Sequence, residues 1–160
     1  MEDGFARFYE TNKDRVLRTV YVCTGDPHLA EDAVSEAFTR ACSRWGKVSR
    51  HPSPVAWVTK TAVNYARSSW RRRTRDRTGD VPEGHYTFDD PLDRSVVEAV
   101  LALPERQRQV IGLRLLLDLS TEQAAEVLGV APGTITGRLH RALSSLRTRL
   151  VTEVSADEPC

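Results

Sequence analysis

Apolar positions recur at three- and four-residue spacing along nearly the whole chain, and strict alternation is nearly absent. That period predicts helices and no strands. Phe5, Phe8, Tyr9, Val16 and Val20 share one face of a first helix, and Leu29, Ala33, Ala37, Ala41 and Trp45 share one face of a second. Between them Thr24-Gly25-Asp26-Pro27 supplies a stop, a cap and a proline near the start of the next helix. A third helix begins near Pro54 and runs through Trp57, Thr61, Asn64 and Tyr65 into a cluster of arginines. The stretch from Gly46 to Pro54, rich in Gly, Ser and Pro, reads as a loop.

The pattern breaks between Thr78 and Asp93, which hold five acids, no Lys or Arg and no periodicity. This is a linker, and it divides the chain into residues 1–77, a flexible acidic connection over 78–93, a second module over 94–152 and a tail over 153–160. In the second module Val96, Val97, Val100, Leu101 and Leu103 form a short helix stopped by Pro104. Val110, Leu113 and Leu117 form another, its apolar face widened by Leu115 and Leu116. A compact pair follows, Thr121 to Leu128 and Pro132 to about Leu150. The expected fold is all-α: two small helical domains, the second a four-helix domain with a helix-turn-helix.

Local chemistry sharpens that last pair. Ser120 followed three residues later by Gln123 predicts a capping box. Gly129 occupies the position where a tight inter-helix turn favours a positive φ, and Pro132 starts the next helix where a missing N–H is harmless. Ile135 and Leu139 face inward, which leaves Thr134, Thr136, Gly137, Arg138, His140 and Arg141 on the other faces. A short polar helix with small residues at its start and Arg one turn in suits the DNA major groove, Arg reading guanine and Thr meeting phosphate or a thymine methyl. The plain alternative is a solvated basic helix in an ordinary bundle.

Composition narrows the function. The net charge of +1 hides blocks: minus four over residues 1–36, plus ten over 37–77, minus five over 78–93 and plus four over 132–152. Twenty of the 23 basic residues are Arg, which favours forked contacts to phosphates and base edges. Six of them, Arg67, Arg71, Arg72, Arg73, Arg75 and Arg77, fall within eleven residues. Six neutralised phosphates imply a log-log salt slope of roughly minus five. Cys23, Cys42 and Cys160 have neither disulfide nor zinc spacing and read as isolated small hydrophobes plus a tail thiol. His28, His51, His85 and His140 share no metal-ligand spacing and no phosphate loop is present, so neither catalysis, metal nor cofactor is indicated. No apolar run reaches the roughly 20 residues a bilayer requires, and the N-terminus is acidic, so a cytoplasmic protein without membrane insertion is expected.

Several segments together resemble a known family. Leu103-Pro104-Glu105-Arg106-Gln107-Arg108-Gln109-Val110, Leu119-Ser120, Ala124-Ala125-Glu126-Val127-Leu128-Gly129-Val130, Pro132-Gly133-Thr134-Ile135 and Arg138-Leu139-His140-Arg141-Ala142 resemble, in order, the promoter-reading domain of bacterial sigma factors of the extracytoplasmic-function group. Leu29 to Phe38, ending at Trp45, is similar to that family's polymerase-binding helix. Ala56-Trp57-Val58, Val63-Asn64 and Trp70-Arg71-Arg72-Arg73 are similar to its promoter-melting helix. Ser35 stands where a Gln is common, which bears on one polymerase contact; Thr136-Gly137 stands where Lys or Arg followed by Ser is frequent, so no promoter sequence transfers.

The resemblance implies an alternative sigma factor that binds core RNA polymerase and directs initiation at promoters with minus-35 and minus-10 elements. Asp32, Ser35, Glu36 and Thr39, spaced as one polar stripe, are implied to dock on the clamp helices of the largest polymerase subunit, the flap being a second contact. Thr134, Thr136, Gly137, Arg138, His140 and Arg141 are implied to read the upstream element. Ser49, His51, Lys60, Asn64, Arg67, Arg71 and Arg72 are implied to hold the melted element, with Ser49, His51 and Asn64 as candidates for a flipped-base pocket. Trp57 and Trp70 read as core rather than stacking platforms. An anti-sigma partner is also implied. The alternatives are a helix-turn-helix regulator that is not a polymerase subunit, and a small RNA-modifying enzyme.

Overall fold

The computed structural model describes the backbone of residues 2–76 and 91–157, with side chains over 4–72 and 94–152. Among these residues all regular structure is helical. Helix α1 spans Glu2–Thr24, α2 Pro27–Ser43, α3 Trp45–Val48 and α4 Pro54–Asp76. In the C-terminal half α5 spans Pro91–Leu101, α6 Glu105–Ile111, a single π turn Gly112–Leu116, α7 Thr121–Leu128 and α8 Pro132–Asp157.

The first junction forms as its residue types dictate. Gly25 takes φ 72° and its N–H returns to the Tyr21 carbonyl at 2.7 Å, closing α1. The Asp26 carboxylate then accepts from the N–H groups of His28 at 3.0 Å and Leu29 at 3.2 Å, and Pro27 opens α2. Helix α2 packs on both α1 and α4. Ala30, Ala33, Ala37 and Ala41 on α2 and Ala56, Ala62 and Ala66 on α4 are buried, and such short side chains let helix axes approach closely. One end of this half is closed by rings: Trp45 lies 5.5 Å from Phe5 and 5.1 Å from Phe8, and Tyr9 meets Phe38 edge-on at 5.1 Å.

Several expectations are corrected. Trp45 to Val48 form a helical turn, because Val48 N–H reaches the Arg44 carbonyl at 2.9 Å; the irregular stretch starts only at Ser49. Helix α5 begins at Pro91, inside the segment read as linker. Helix α8 continues past Leu150 to Asp157. Leu115 is 55% exposed, being two positions from both Leu113 and Leu117 and hence on the opposite side. Trp70 is 56% exposed and is no core residue, whereas Trp57 packs partly buried against the core. Of the cysteines, Cys23 is buried and Cys42 exposed, and Cys160 lies outside the described residues. So do the acidic residues Asp80, Glu83, Asp89 and Asp90.

The two halves share one continuous hydrophobic core. Helix α1 packs against α5, α6 and the π turn, and α4 packs against α7. Gly112 sits at this joint: a Cβ there would stand 3.4 Å from both the Thr19 carbonyl and its methyl, so the π turn lies in direct contact with α1. Beside it the Arg15 guanidinium donates to the Leu117 carbonyl at 3.0 Å, a bond between residues 102 positions apart.

Candidate DNA and polymerase interfaces

Helix α8 is positioned by the turn before it. Ser120 Oγ accepts from Gln123 N–H at 3.1 Å while Gln123 Oε1 accepts from Ser120 N–H at 2.9 Å, the reciprocal pair expected of a capping box. Gly129 adopts φ 68° and ψ 38°, and both its N–H and that of Val130 return to the Ala125 carbonyl. Pro132 opens α8. Ile135 and Ala142 are fully buried and so fix its rotation. Thr136, His140 and Arg141 are exposed, and Thr134, Gly137 and Arg138 half-buried. The Arg141 guanidinium lies back along Gly137, where a Cβ would be 3.7 Å from its Nη atoms. Gly137 and the Arg141 side chain are thus neighbours one turn apart on α8.

On α4 the residues Lys60, Asn64, Arg67 and Arg71 fall at i, i+4, i+7 and i+11 and are all exposed, so they share one stripe. Arg72 is exposed beside it. His51 is held by its own turn, its Nδ1 lying 3.0 Å from Ser53 N–H and 2.9 Å from the Ser53 carbonyl. Ser53 Oγ in turn accepts from Ala56 N–H at 3.2 Å, capping α4. His51, Lys60 and Asn64 come together, with Trp57 and Thr61, in a cleft of about 260 Å³. The opposite wall is α7, through Gln123, Glu126 and Val127. Ser49 does not join this group; its hydroxyl donates to the Gly46 carbonyl at 3.4 Å. Arg67 turns to a second cavity of about 240 Å³, shared with Trp70, Cys23 and, from α6, Arg108. There burial pushes the Cys23 thiol up to about 12.

Asp32, Ser35 and Thr39 lie exposed along α2, with Glu36 half-buried among them. Thr39 Oγ1 donates to the Ser35 carbonyl at 2.8 Å, and Glu36 pairs with Arg40 at 2.9 Å. Ser35 and Thr39 also edge a groove of about 790 Å³ walled by Phe5, Tyr9, Leu17 and Phe38. The α1 wall was not foreseen, although the i, i+4 pair Phe5 and Tyr9 signals it. Lys13 stands at that groove with Glu10 at 3.3 Å, whose hydrogen bond and charge hold the ammonium above the usual lysine range.

Comparison with known proteins now adds to this geometry. Sigma-70 region 2 matches residues 8–76, and Sigma-70 region 4 matches residues 93–146. The RNA polymerase sigma-E factor of Streptomyces coelicolor is 32% identical over 152 residues, covering 92% of this chain and 86% of the relative. The chain belongs to the extracytoplasmic-function sigma factors. The group's SigW from Bacillus subtilis is 26% identical over 169 residues, covering 93% of this chain and 90% of SigW. Among solved structures, the sigma factor RpoE of Bartonella quintana, in complex with the anti-sigma factor NepR, superposes with a TM-score of 0.68 at 24% identity. That match covers 90% of this chain and 96% of RpoE and supports the all-helical fold. As a sigma factor the chain directs transcription initiation with RNA polymerase. The reading as an independent regulator is thereby set aside. Sigma factors are initiation factors rather than enzymes, and no described helix is long and apolar enough to cross a membrane.

Proposed function

We propose that α2, α4 and α8 divide the work of promoter-specific initiation. Asp32, Ser35, Glu36 and Thr39 dock on the clamp helices of the largest polymerase subunit, and the C-terminal half meets the flap. Thr134, Thr136, Gly137, Arg138, His140 and Arg141 read the minus-35 element in the major groove. His51, Lys60 and Asn64, with Ser49, Arg67, Arg71 and Arg72 around them, hold the melted minus-10 strand through charge and stacking. The observation that carries this reading is the pair α7 and α8, whose capping box and left-handed Gly129 leave Thr136, His140 and Arg141 outward while Ile135 and Ala142 are buried. Trp70, exposed between Arg67 and Arg71, fits a base-stacking role better than a core one.

An anti-sigma factor is a further partner, as NepR is for RpoE. Run-off transcription with core polymerase on a pool of genomic fragments tests the proposal. Discrete transcripts that depend on this chain are expected, and their start sites yield the promoter sequence. Transcripts equally abundant without the chain overturn it.

A further inference from the structure

Two arginines, one on α4 and one on α6, line a single cavity of about 240 Å³. Arg67 lies on the exposed side of α4, and the Arg108 guanidinium is laid over the turn at Gly25, where a Cβ would be 3.6 Å from its Nη1 and 3.7 Å from its Nη2. Neither residue makes an ion pair among the described residues, and Arg108 Nε is buried without a hydrogen-bond partner. Buried donors in a folded protein are ordinarily satisfied, and a guanidinium presents its donors in forks that match oxyanions. Burial pushes up the Cys23 thiol on the cavity wall, and the charges of Arg108 and Arg67 oppose that push, so both positive charges reach the same space.

The rest of the lining narrows the class of anion. A carboxylate has two oxygens and is served by one fork, whereas a phosphate monoester presents three terminal oxygens, enough for two guanidiniums. Beside the arginines stand Glu105, whose Oε1 accepts from Gln109 Nε2 at 3.4 Å, and Gln109 itself, 7% exposed. An ionised carboxylate accepts and an amide both donates and accepts, a pairing that suits hydroxyl groups. Leu29, Val63 and Ala66 add apolar lining, and the Trp70 indole supplies a flat surface for the C–H face of a sugar ring. Cavities that enclose drug-sized molecules run from about 300 to 1,000 Å³, so the occupant here is smaller, of monosaccharide size.

We propose that this cavity binds a monosaccharide-sized sugar phosphate, its phosphate held by Arg67 and Arg108 and its hydroxyls by Glu105 and Gln109. Arg67 also belongs to the set proposed to hold the melted strand, so a DNA backbone phosphate is the competing occupant. The deoxyribose of an intact strand has no free hydroxyl to offer Glu105 and Gln109, which favours the free sugar phosphate.

Isothermal titration calorimetry of the full chain tests this with ribose 5-phosphate as the probe, beside inorganic phosphate, ribose, adenosine monophosphate and a mixed-sequence DNA single strand. Saturable one-to-one binding of ribose 5-phosphate is expected, at least about tenfold tighter than that of inorganic phosphate or ribose, the difference one hydrogen bond to a charged group makes. Adenosine monophosphate, whose base exceeds the cavity, should bind more weakly than ribose 5-phosphate. Arg108→Gln and Arg67→Gln should each weaken ribose 5-phosphate about tenfold or more, and Glu105→Ala should narrow the preference over inorganic phosphate. Arg67 is exposed, so its replacement does not threaten the fold, and Arg147→Gln, which removes the same charge from an exposed position on α8, should leave the affinity unchanged. No saturable binding, equal affinity for inorganic phosphate, adenosine monophosphate binding as tightly, or an equal loss in Arg147→Gln overturns the proposal. So does a DNA strand that weakens in Arg108→Gln while ribose 5-phosphate fails to bind, since the arginine pair then serves backbone phosphate.

Discussion

Replacing Gly129 by alanine tests the turn that sets the angle between α7 and α8. At φ 68° and ψ 38° an L-residue brings its Cβ against the following carbonyl, which costs roughly 1–2 kcal/mol. No atom lies within 4 Å of where that Cβ would stand, so no steric clash adds to the backbone term. The control is Gly133→Ala, on α8, which also opens into empty space but has no positive φ. There alanine should stabilise the chain by up to about 1 kcal/mol, the helix-propensity difference from glycine. Urea unfolding followed by circular dichroism at equal m-value reads both. In a chain of 160 residues each kcal/mol moves Tm by about 2–4 °C, so the two variants should separate by several degrees in opposite directions. Equal shifts, or stabilisation by Gly129→Ala, would refute the left-handed turn.

The converse substitution acts at Asp118, the one non-glycine with positive φ among the described residues, at 56°. Asp118→Gly should raise unfolding free energy by about 0.5–1 kcal/mol, somewhat reduced by the greater freedom glycine gives the unfolded chain; a loss would show that the side chain stabilises the bend. Cys23 supplies a pH test. Its thiol is raised from an ordinary 9.0 to about 12, so between those values the unfolded chain sheds a proton that the folded chain keeps. The contribution is intact below pH 9 and is lost as pH rises toward 12, with a slope of at most ~1.4 kcal/mol per unit. Denaturant titrations from pH 8 upward should show a shallower decline for Cys23→Ala than for the wild type; parallel curves would mean the thiol titrates freely in the fold. Glu36→Arg should abolish co-purification with core polymerase while changing stability by no more than about 0.5 kcal/mol, since the Glu36–Arg40 pair is an exposed i, i+4 contact. Retained co-purification would remove Glu36 from the docking surface.

Elements governed by near neighbours were legible in the chain. Asp26-Pro27 and Ser120 with Gln123 begin helices because each cap bonds N–H groups two or three residues away. Gly25 and Gly129 end them because the left-handed angle belongs to a single residue. The polar stripe of Asp32, Ser35, Glu36 and Thr39 and the outward set on α8 followed from the helical period. Ser49 lies apart from the cleft that His51 and Asn64 line, and a loop has no period from which that placement could be read. Trp70 was misread because an aromatic near the end of a long helix is core only if something packs over it, and the spacing of α4 does not say how far its partners extend.

What the residues determined alone is therefore the longer helices, the caps at Asp26 and Ser120, the polar faces and, through the ordered motifs, the family. What only the tertiary structure decided is how the halves meet. That Gly112 meets Thr19, that Arg15 reaches Leu117 and that α4 and α7 form the two walls of one cleft are relations between residues up to 102 positions apart. A helical period repeats every few residues and carries no record of which distant face will fill the space beside it.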